Sequence, residues 1–391
     1  MSNKKRTIKK NKLNVLDLFC GAGGFSYGFR HAGYRILAGI DNEENMLKTF
    51  ASNFHDSIAI KKDLSEDNLE GLESIMSSTV DVIIGGPPCQ GLSVAGKRLK
   101  DDPRNILYRA YLYFIKHFRP KAIVIENVPT ILGLYKGEIG KQIIEDLEQL
   151  NYGMKVFKVT ASDYGVPQNR KRVFFIGLSR EKVLNIRENN RIQNIDPSER
   201  AILDLPLFSG IPEGEEFHLS EGRYKNNPIT SRMAISDLPL LNGFLGEEKQ
   251  VYSSEPLNEY QKEMRKNSPF IWNHEAVDHQ QKTIDIIKMV PDGGNYKDLP
   301  KKLWKTRKVN IAWTRMNSKK PCFTIDAGHN HHFHYKANRV PTVRECARIQ
   351  SFPDRFIFYG NRTSQYRQVG NAVPPLVAKM IGKVLKKAME S

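Results

Sequence analysis

Cysteine is scarce in this chain. Four are spread over 391 residues (Cys20, Cys89, Cys322 and Cys346), and no two form a Cys-x-x-Cys pair. Zinc ribbons and dithiol redox motifs are therefore not what organises it, and a reducing, cytoplasmic setting is expected. No run approaches the roughly 18 apolar residues of a membrane span, and no apolar stretch lies near the N-terminus, so neither a membrane partner nor a signal peptide is expected. Acidic residues are outnumbered, 43 against 60 Lys and Arg, which leaves a formal charge of +17. A surplus of that size points to a polyanion as partner. Internal repeats and extended low-complexity segments are also missing. The 40% of hydrophobic residues suffices for a core, and the length suits one large domain plus a smaller one.

What is present is a series of short apolar strands, several ending in a reactive or polar side chain. The run 80–84 reads as a buried strand that breaks sharply at Gly85-Gly86-Pro87-Pro88, because proline cannot donate to a ladder and fixes its own φ. Cys89 follows directly, at the carboxyl end of a strand, where open parallel sheets bind ligands. Most cysteines are buried packing residues. This placement instead makes Cys89 a candidate nucleophile, one that attacks only as the thiolate.

Asn14 to Phe19 forms another apolar strand. It runs into Cys20-Gly21-Ala22-Gly23-Gly24 and then a helical pattern to about residue 32, the βα unit of nucleotide-binding sheets. A dinucleotide fingerprint starting at Gly21 needs glycine at position 26, which is Ser26, so a pyrophosphate loop is poorly matched. Strand 35–40 ends in Asp41, placed to accept hydrogen bonds from ribose hydroxyls, and strand 57–60 is followed by Asp63. Glycine turn and acids together outline an adenosine-sized pocket. Strand 122–125 ends in Glu126-Asn127-Val128-Pro129, which puts Glu126 at the same edge as Cys89, one strand away. It is a candidate proton donor if burial raises its pKa. Gln168-Asn169-Arg170-Lys171-Arg172 leads into strand 173–177, and an extended segment there places Arg170 and Arg172 on one face.

The alternation of strand and helix stops near Leu178. Beyond it come loops, prolines and short helices such as 283–290. Residues 296–320 carry nine Lys or Arg and one Asp, interleaved with Tyr296, Trp304 and Trp313, a mixture suited to phosphate and base contact. His329, His331, His332 and His334 fit no zinc spacing and read as surface or phosphate-side histidines, with no metal expected. Thr342-Val343-Arg344-Glu345 reads as a capping box opening a helix that ends near residue 351. Residues 1–12 form a basic tail, and 91–106 a basic loop beside Cys89.

Six segments occur in the order found in the cytosine-C5 DNA methyltransferases, which the chain strongly resembles. They are Asp17 to Gly24, Gly86 to Ser93, Glu126-Asn127-Val128, Gln168 to Arg172, Arg344 to Arg348, and Gln368-Val369-Gly370-Asn371-Ala372. The resemblance spans roughly 13–180 and 341–386. It implies an α/β fold, a Rossmann-like methyltransferase sheet with a smaller, irregular target-recognition domain. The implied divisions are a tail 1–12, a catalytic cofactor-binding domain 13–180, a recognition domain 181–364, and a segment 365–391 returning to the catalytic domain.

The resemblance also implies S-adenosylmethionine as methyl donor. Phe19 would lie against it, with Gly21, Gly23 and Gly24 around its methionine part. Asp41 would take the ribose hydroxyls and Asp63 the adenine amino group. Asn42, Leu64, Pro88, Leu107, Asn371 and Ala372 would complete the pocket, although Asn42 stands where family members often carry a larger apolar or aromatic residue. Cys89 would attack C6 of cytosine, Glu126 would hold or protonate N3, and Arg172, with Arg170 beside it, would orient Glu126 and contact O2. The substrate would be a base flipped out of duplex DNA. The expected enzyme is a monomer, and a cognate restriction endonuclease is its expected partner in the cell. Methyltransferases of the same chemistry acting on tRNA, and a DNA-binding protein that has lost catalysis, are the competing readings.

Overall fold

The computed structural model describes residues 12–65, 69–88, 106–182, 224–304, 313–327 and 332–390. Its centre is a seven-stranded sheet: β1 (Asn14–Leu18), β2 (Arg35–Asp41), β3 (Ile58–Lys61), β4 (Val82–Gly85), β5 (Ala122–Asn127), β6 (Tyr152–Thr160) and β7 (Lys171–Ser179). The spatial order is β3-β2-β1-β4-β5-β7-β6. The first five are parallel, and β7 runs antiparallel between β5 and β6.

Period-two alternation divides the apolar side chains between the two faces. In β5, Ala122 and Val124 join one cluster while Ile123 and Ile125 join the other. Helix Gly24–His31 and helix Pro375–Glu390 cover the first face, supplying Phe25, Phe29, Val377 and Ile381. Helices Ile106–Phe118 and Glu138–Gln149 cover the second, with Tyr111, Phe114, Ile143 and Leu147. The apolar runs foretold β1 to β5 and β7, with limits shifted by one or two residues. Two shifts matter: β5 extends through Glu126 and Asn127, and β7 begins early enough to include Arg172.

The chain leaves β1 toward β2 and β3, then returns to β4 on the other side of β1. That reversal opens a crevice at the carboxyl ends of β1 and β4, the switch point where open sheets bind ligands.

After β7 the described chain is mostly irregular, with short helices at Ser231–Ile235, Glu259–Arg265 and Gln281–Met289 and two ladders of two-residue strands. Its centre is helix Val343–Ile349, every residue of which is buried. The capping box forms as expected: Glu345 N donates to Thr342 Oγ1 at 3.1 Å and Thr342 N to Glu345 Oε2 at 2.7 Å. Three charges on this helix are buried, and each is matched. Arg348 donates to Asp237 at 2.7 Å and to both oxygens of Asp354 at 2.7 and 2.6 Å. Glu345 accepts two bonds of 2.8 Å from Arg339. Arg344 donates to the carbonyls of Trp272, Pro353 and Phe356. Burial alone would raise the Asp354 carboxyl, but Arg348 outweighs it and holds the group below the usual range.

Two expectations from the sequence are corrected here. The aromatics of 296–320 pack inward rather than standing free between the basic residues: Trp313 is buried against Phe333, and half-buried Tyr296 and Trp304 pack edge-on to each other beside the same cluster. Arg315 is buried too, donating to the carbonyls of Ile287, Val290 and His334; Lys297, Lys301 and Lys302 are the exposed flank. The period of the apolar residues was hidden by the basic ones between them. Likewise, His332 and His334 are buried, not surface-lying. His334 Nδ1 accepts from the backbone N–H groups of Lys336 and Ala337, a turn-closing role. Among the described residues no His, Cys, Asp and Glu cluster could hold a metal ion. His329, His331, residues 305–312, the tail 1–11 and the segment 89–105 lie outside the described residues.

Removing one partner of a buried, hydrogen-bonded ion network strands the others. Arg348→Met is expected to lower the unfolding free energy by about 3–5 kcal/mol, read from urea titration at pH 7. The wild-type contribution of Asp354, whose pKa is depressed on folding, is present above its unfolded value and lost as pH falls through the folded one; titrations stepping below pH 4 read that loss.

Candidate active site at the carboxyl edge of the sheet

A cavity of about 820 Å³ opens at the switch point. The turn after β1 forms one wall. It passes through the left-handed region at Phe19 (φ 58°), Gly21 (54°) and Gly23 (94°). A phenylalanine there is strained by the order of 1 kcal/mol. The strain is held by neighbours: Cys20 N donates to Ile40 O at 3.0 Å, and Gly21 N to Asp41 Oδ2 at 2.9 Å. Phe19, Gly21 and Gly24 line the cavity. Gly23 does not; a Cβ there would lie 2.5 Å from the Phe54 ring and 2.9 Å from Phe50, so it faces the core.

Asp41 accepts from Gly21 N and, at 3.0 Å, from Glu43 N. Each carboxylate oxygen keeps a further lone pair. Burial pushes its pKa up. Asn42 is exposed on the same rim, and Asp63 stands at the far end. There Asp63 accepts from Ser65 N at 2.9 Å, a bond that lowers its pKa. Leu64, Pro88, Leu107, Asn371 and Ala372 also line the wall, so the structure brings eleven of the twelve predicted pocket residues to one cavity.

Sequence reasoning missed three features. Asp17 lines the cavity while almost wholly buried, and accepts from Ser26 Oγ at 2.6 Å; burial pushes it up to about 7. Ser26, which broke the dinucleotide fingerprint, is thus the partner of a buried acid. Arg367 and Glu43, 324 residues apart, form an ion pair across the cavity wall. Asp326 and Thr324 join the wall from the irregular region. Nothing local in the sequence signals contacts over such separations.

At the other side of the cavity Glu126 Oε1 lies 2.7 Å from Arg172 Nε. The strands deliver this pairing, since β5 and β7 are neighbours. Asn127 Nδ2 donates to Pro87 O at 3.3 Å and ties the tip of β5 to the Pro-Pro turn. Cys89 lies outside the described residues; Pro88, which precedes it, is in the cavity wall. Arg170 follows a different pattern from Arg172. Its guanidinium is buried and donates to Ile325 O at 3.0 Å and Gly370 O at 2.8 Å. Burial, with the Arg172 cation close by, pushes it down to about 9, so it stays protonated at neutral pH. It braces β7, the Ile325 segment and the helix Arg362–Asn371 against one another. Gly370 permits this: a Cβ there would sit 2.0 Å from Asp326 O.

The donor set fits a nucleoside sulfonium bearing an amino acid. Asp41 has lone pairs open for a ribose diol, Asp63 an exposed carboxylate for an exocyclic amine, and buried Asp17 and half-buried Asp41 supply acidic groups near the glycine turn for a cationic ligand.

The family described as C-5 cytosine-specific DNA methylase matches residues 13–387. The Type II methyltransferase M.DdeI of Desulfomicrobium norvegicum is 37% identical over 95% of this chain and 88% of its own length. The Type II methyltransferase M1.HphI of Haemophilus parahaemolyticus is 35% identical, covering 96% and 87%. Among solved structures, a prophage-encoded DNA modification methyltransferase of E. coli superposes with a TM-score of 0.72 at 26% identity, over 97% of this chain and all of the other.

Arg170→Met would leave the buried carbonyls of Ile325 and Gly370 without a charged donor. A loss of roughly 2–4 kcal/mol in unfolding free energy is expected, measured by denaturant titration of the purified variant.

Proposed function

From the premise that this chain belongs to the C-5 cytosine-specific DNA methylases, S-adenosylmethionine-dependent enzymes, we propose that it methylates a flipped-out cytosine in a specific duplex sequence through a covalent Cys89–C6 adduct. We assign it to a restriction-modification system, acting as a monomer in the cytoplasm beside a cognate endonuclease; the Type II relatives support that setting. Residues 13–180 would form the catalytic domain, 181–364 the recognition domain, and 365–391 the returning segment.

The observation that carries the reading is the Glu126–Arg172 pair, 2.7 Å apart at the cavity wall and tied through Asn127 to the turn before Cys89. C5 of cytosine is too weakly nucleophilic to be methylated unaided. Addition of the Cys89 thiolate to C6 forms a C–S bond and moves the 5,6 π electrons toward C5, giving an enamine. Glu126 delivers a proton to N3, which neutralises the charge developing in the ring. Arg172 fixes the Glu126 carboxyl and contacts O2, and Arg170 holds the platform from behind. Bound S-adenosylmethionine supplies the electrophilic methyl group. Loss of the C5 proton to solvent, departure of the Cys89 thiolate and return of the N3 proton to Glu126 restore the double bond and the neutral ring. Phe19, Gly21, Asp41, Asp63, Leu64, Asn371 and Ala372 would hold the cofactor. Extrusion of the base costs a few kcal/mol of stacking and pairing.

The test uses labelled S-adenosylmethionine with unmethylated duplex DNA and, separately, tRNA, followed by digestion to nucleosides. Label is expected in 5-methyldeoxycytidine. Cys89→Ser is expected to reduce transfer by roughly 10³-fold or more while cofactor binding persists. No label in DNA from folded, cofactor-binding protein would overturn the proposal.

A further inference from the structure

Phe323 is 44% exposed and immediately precedes Thr324, Ile325, Asp326 and Ala327, which line the cavity. A lone exposed apolar residue is ordinary, but this one is rigidly held. On one side, Cys322 N donates to Pro167 O at 2.8 Å and Asn169 N to Cys322 O at 2.9 Å. On the other, Ile325 N donates to the Gln168 side chain at 2.9 Å, and Ile325 O accepts from Arg170. The backbone around Phe323 is therefore pinned to the segment that carries Arg170 and Arg172. One face of its ring stacks on His332, with centroids 5.2 Å apart and planes 15° from parallel. His332 is itself buried and paired with Thr314 in a parallel ladder.

A flat ring backed on one face and partly exposed thus sits one residue from the cavity wall, on a backbone pinned to the segment that carries Arg170 and Arg172. When a cytosine leaves the duplex, its neighbours lose a stacking partner. Every base has a π-face, so an aromatic surface can replace that partner whatever the flanking sequence. We propose that Phe323, braced by His332, is the stacking surface for a nucleotide neighbouring the extruded cytosine, and so a positioning residue for the DNA substrate. This rests on the DNA methyltransferase reading above.

The test compares wild type with Phe323→Tyr, Phe323→Leu and Phe323→Ala. The readouts are kcat and KM for duplex DNA, KM for S-adenosylmethionine, and fluorescence of 2-aminopurine placed at the target position. Tyr is expected to retain wild-type behaviour. Leu and Ala are expected to raise KM for DNA about tenfold or more and to weaken the 2-aminopurine signal, with KM for S-adenosylmethionine unchanged. Leu keeps most of the packing volume, so the Tyr–Leu comparison decides the matter even if Ala fails to fold. Leu behaving like wild type would overturn the inference while leaving the enzymatic reading intact. A wild-type protein that transfers no methyl group to DNA would instead remove the reading on which it rests.

Discussion

Charges buried on helix Val343–Ile349 cannot be left unmatched, and the irregular region is arranged around matching them. Arg348 takes one carboxylate from Asp237 and another from Asp354. Glu345 requires Arg339, and Arg344 uses three main-chain carbonyls. These partners lie on stretches with little regular structure of their own, so no ladder or long helix fixes their relative positions. An apolar helix would pack as well but would tolerate many arrangements of the surrounding loops. We read the buried ions as the device that selects one of them.

The sheet solves a different problem, bringing two half-sites to one edge. β1 and β2 present the glycine turn, Asp17 and Asp41; β5 and β7 present Glu126 and Arg172. β4 lies between the two sets and ends in the Pro-Pro turn. A methyl donor and an acceptor ring must meet within bonding distance, and on the proposed reading the strand that separates their binding groups is the one that leads to Cys89. The hydrogen bond from Asn127 to Pro87 O holds that geometry across neighbouring strands.

Much of this was legible in the chain because it is local. Strand, turn and acid at a strand tip are read from a dozen residues, and the Thr342–Glu345 capping box is a four-residue pattern with one geometry. The roles of Arg170 and Arg172 were harder. The sequence set them on one face, but whether each meets a carboxylate or a carbonyl depends on segments about 45 to 200 residues away. The reading failed at Trp313 and His334, where polar or basic neighbours disguised positions that tertiary packing buries. Composition describes what a segment contains and not which of its faces turns inward. The Arg367–Glu43 pair had no sequence signal, because its meaning arises only when α/β edge and late helix are folded together.

The joint between the sheet and the irregular region has one property with wider reach. Arg170 grips Ile325 and Gly370 through their carbonyls, Gln168 receives the N–H of Ile325, and the bridge at Cys322 is main chain to main chain. These contacts recognise peptide groups, which every residue carries. Side chains beyond the joint can therefore be rewritten without loosening it, provided Gly370 still admits the close approach of Asp326. A joint built this way separates its own upkeep from the chemistry of the side chains beyond it: those can drift in sequence while the edge carrying Glu126 and Arg172 keeps its place.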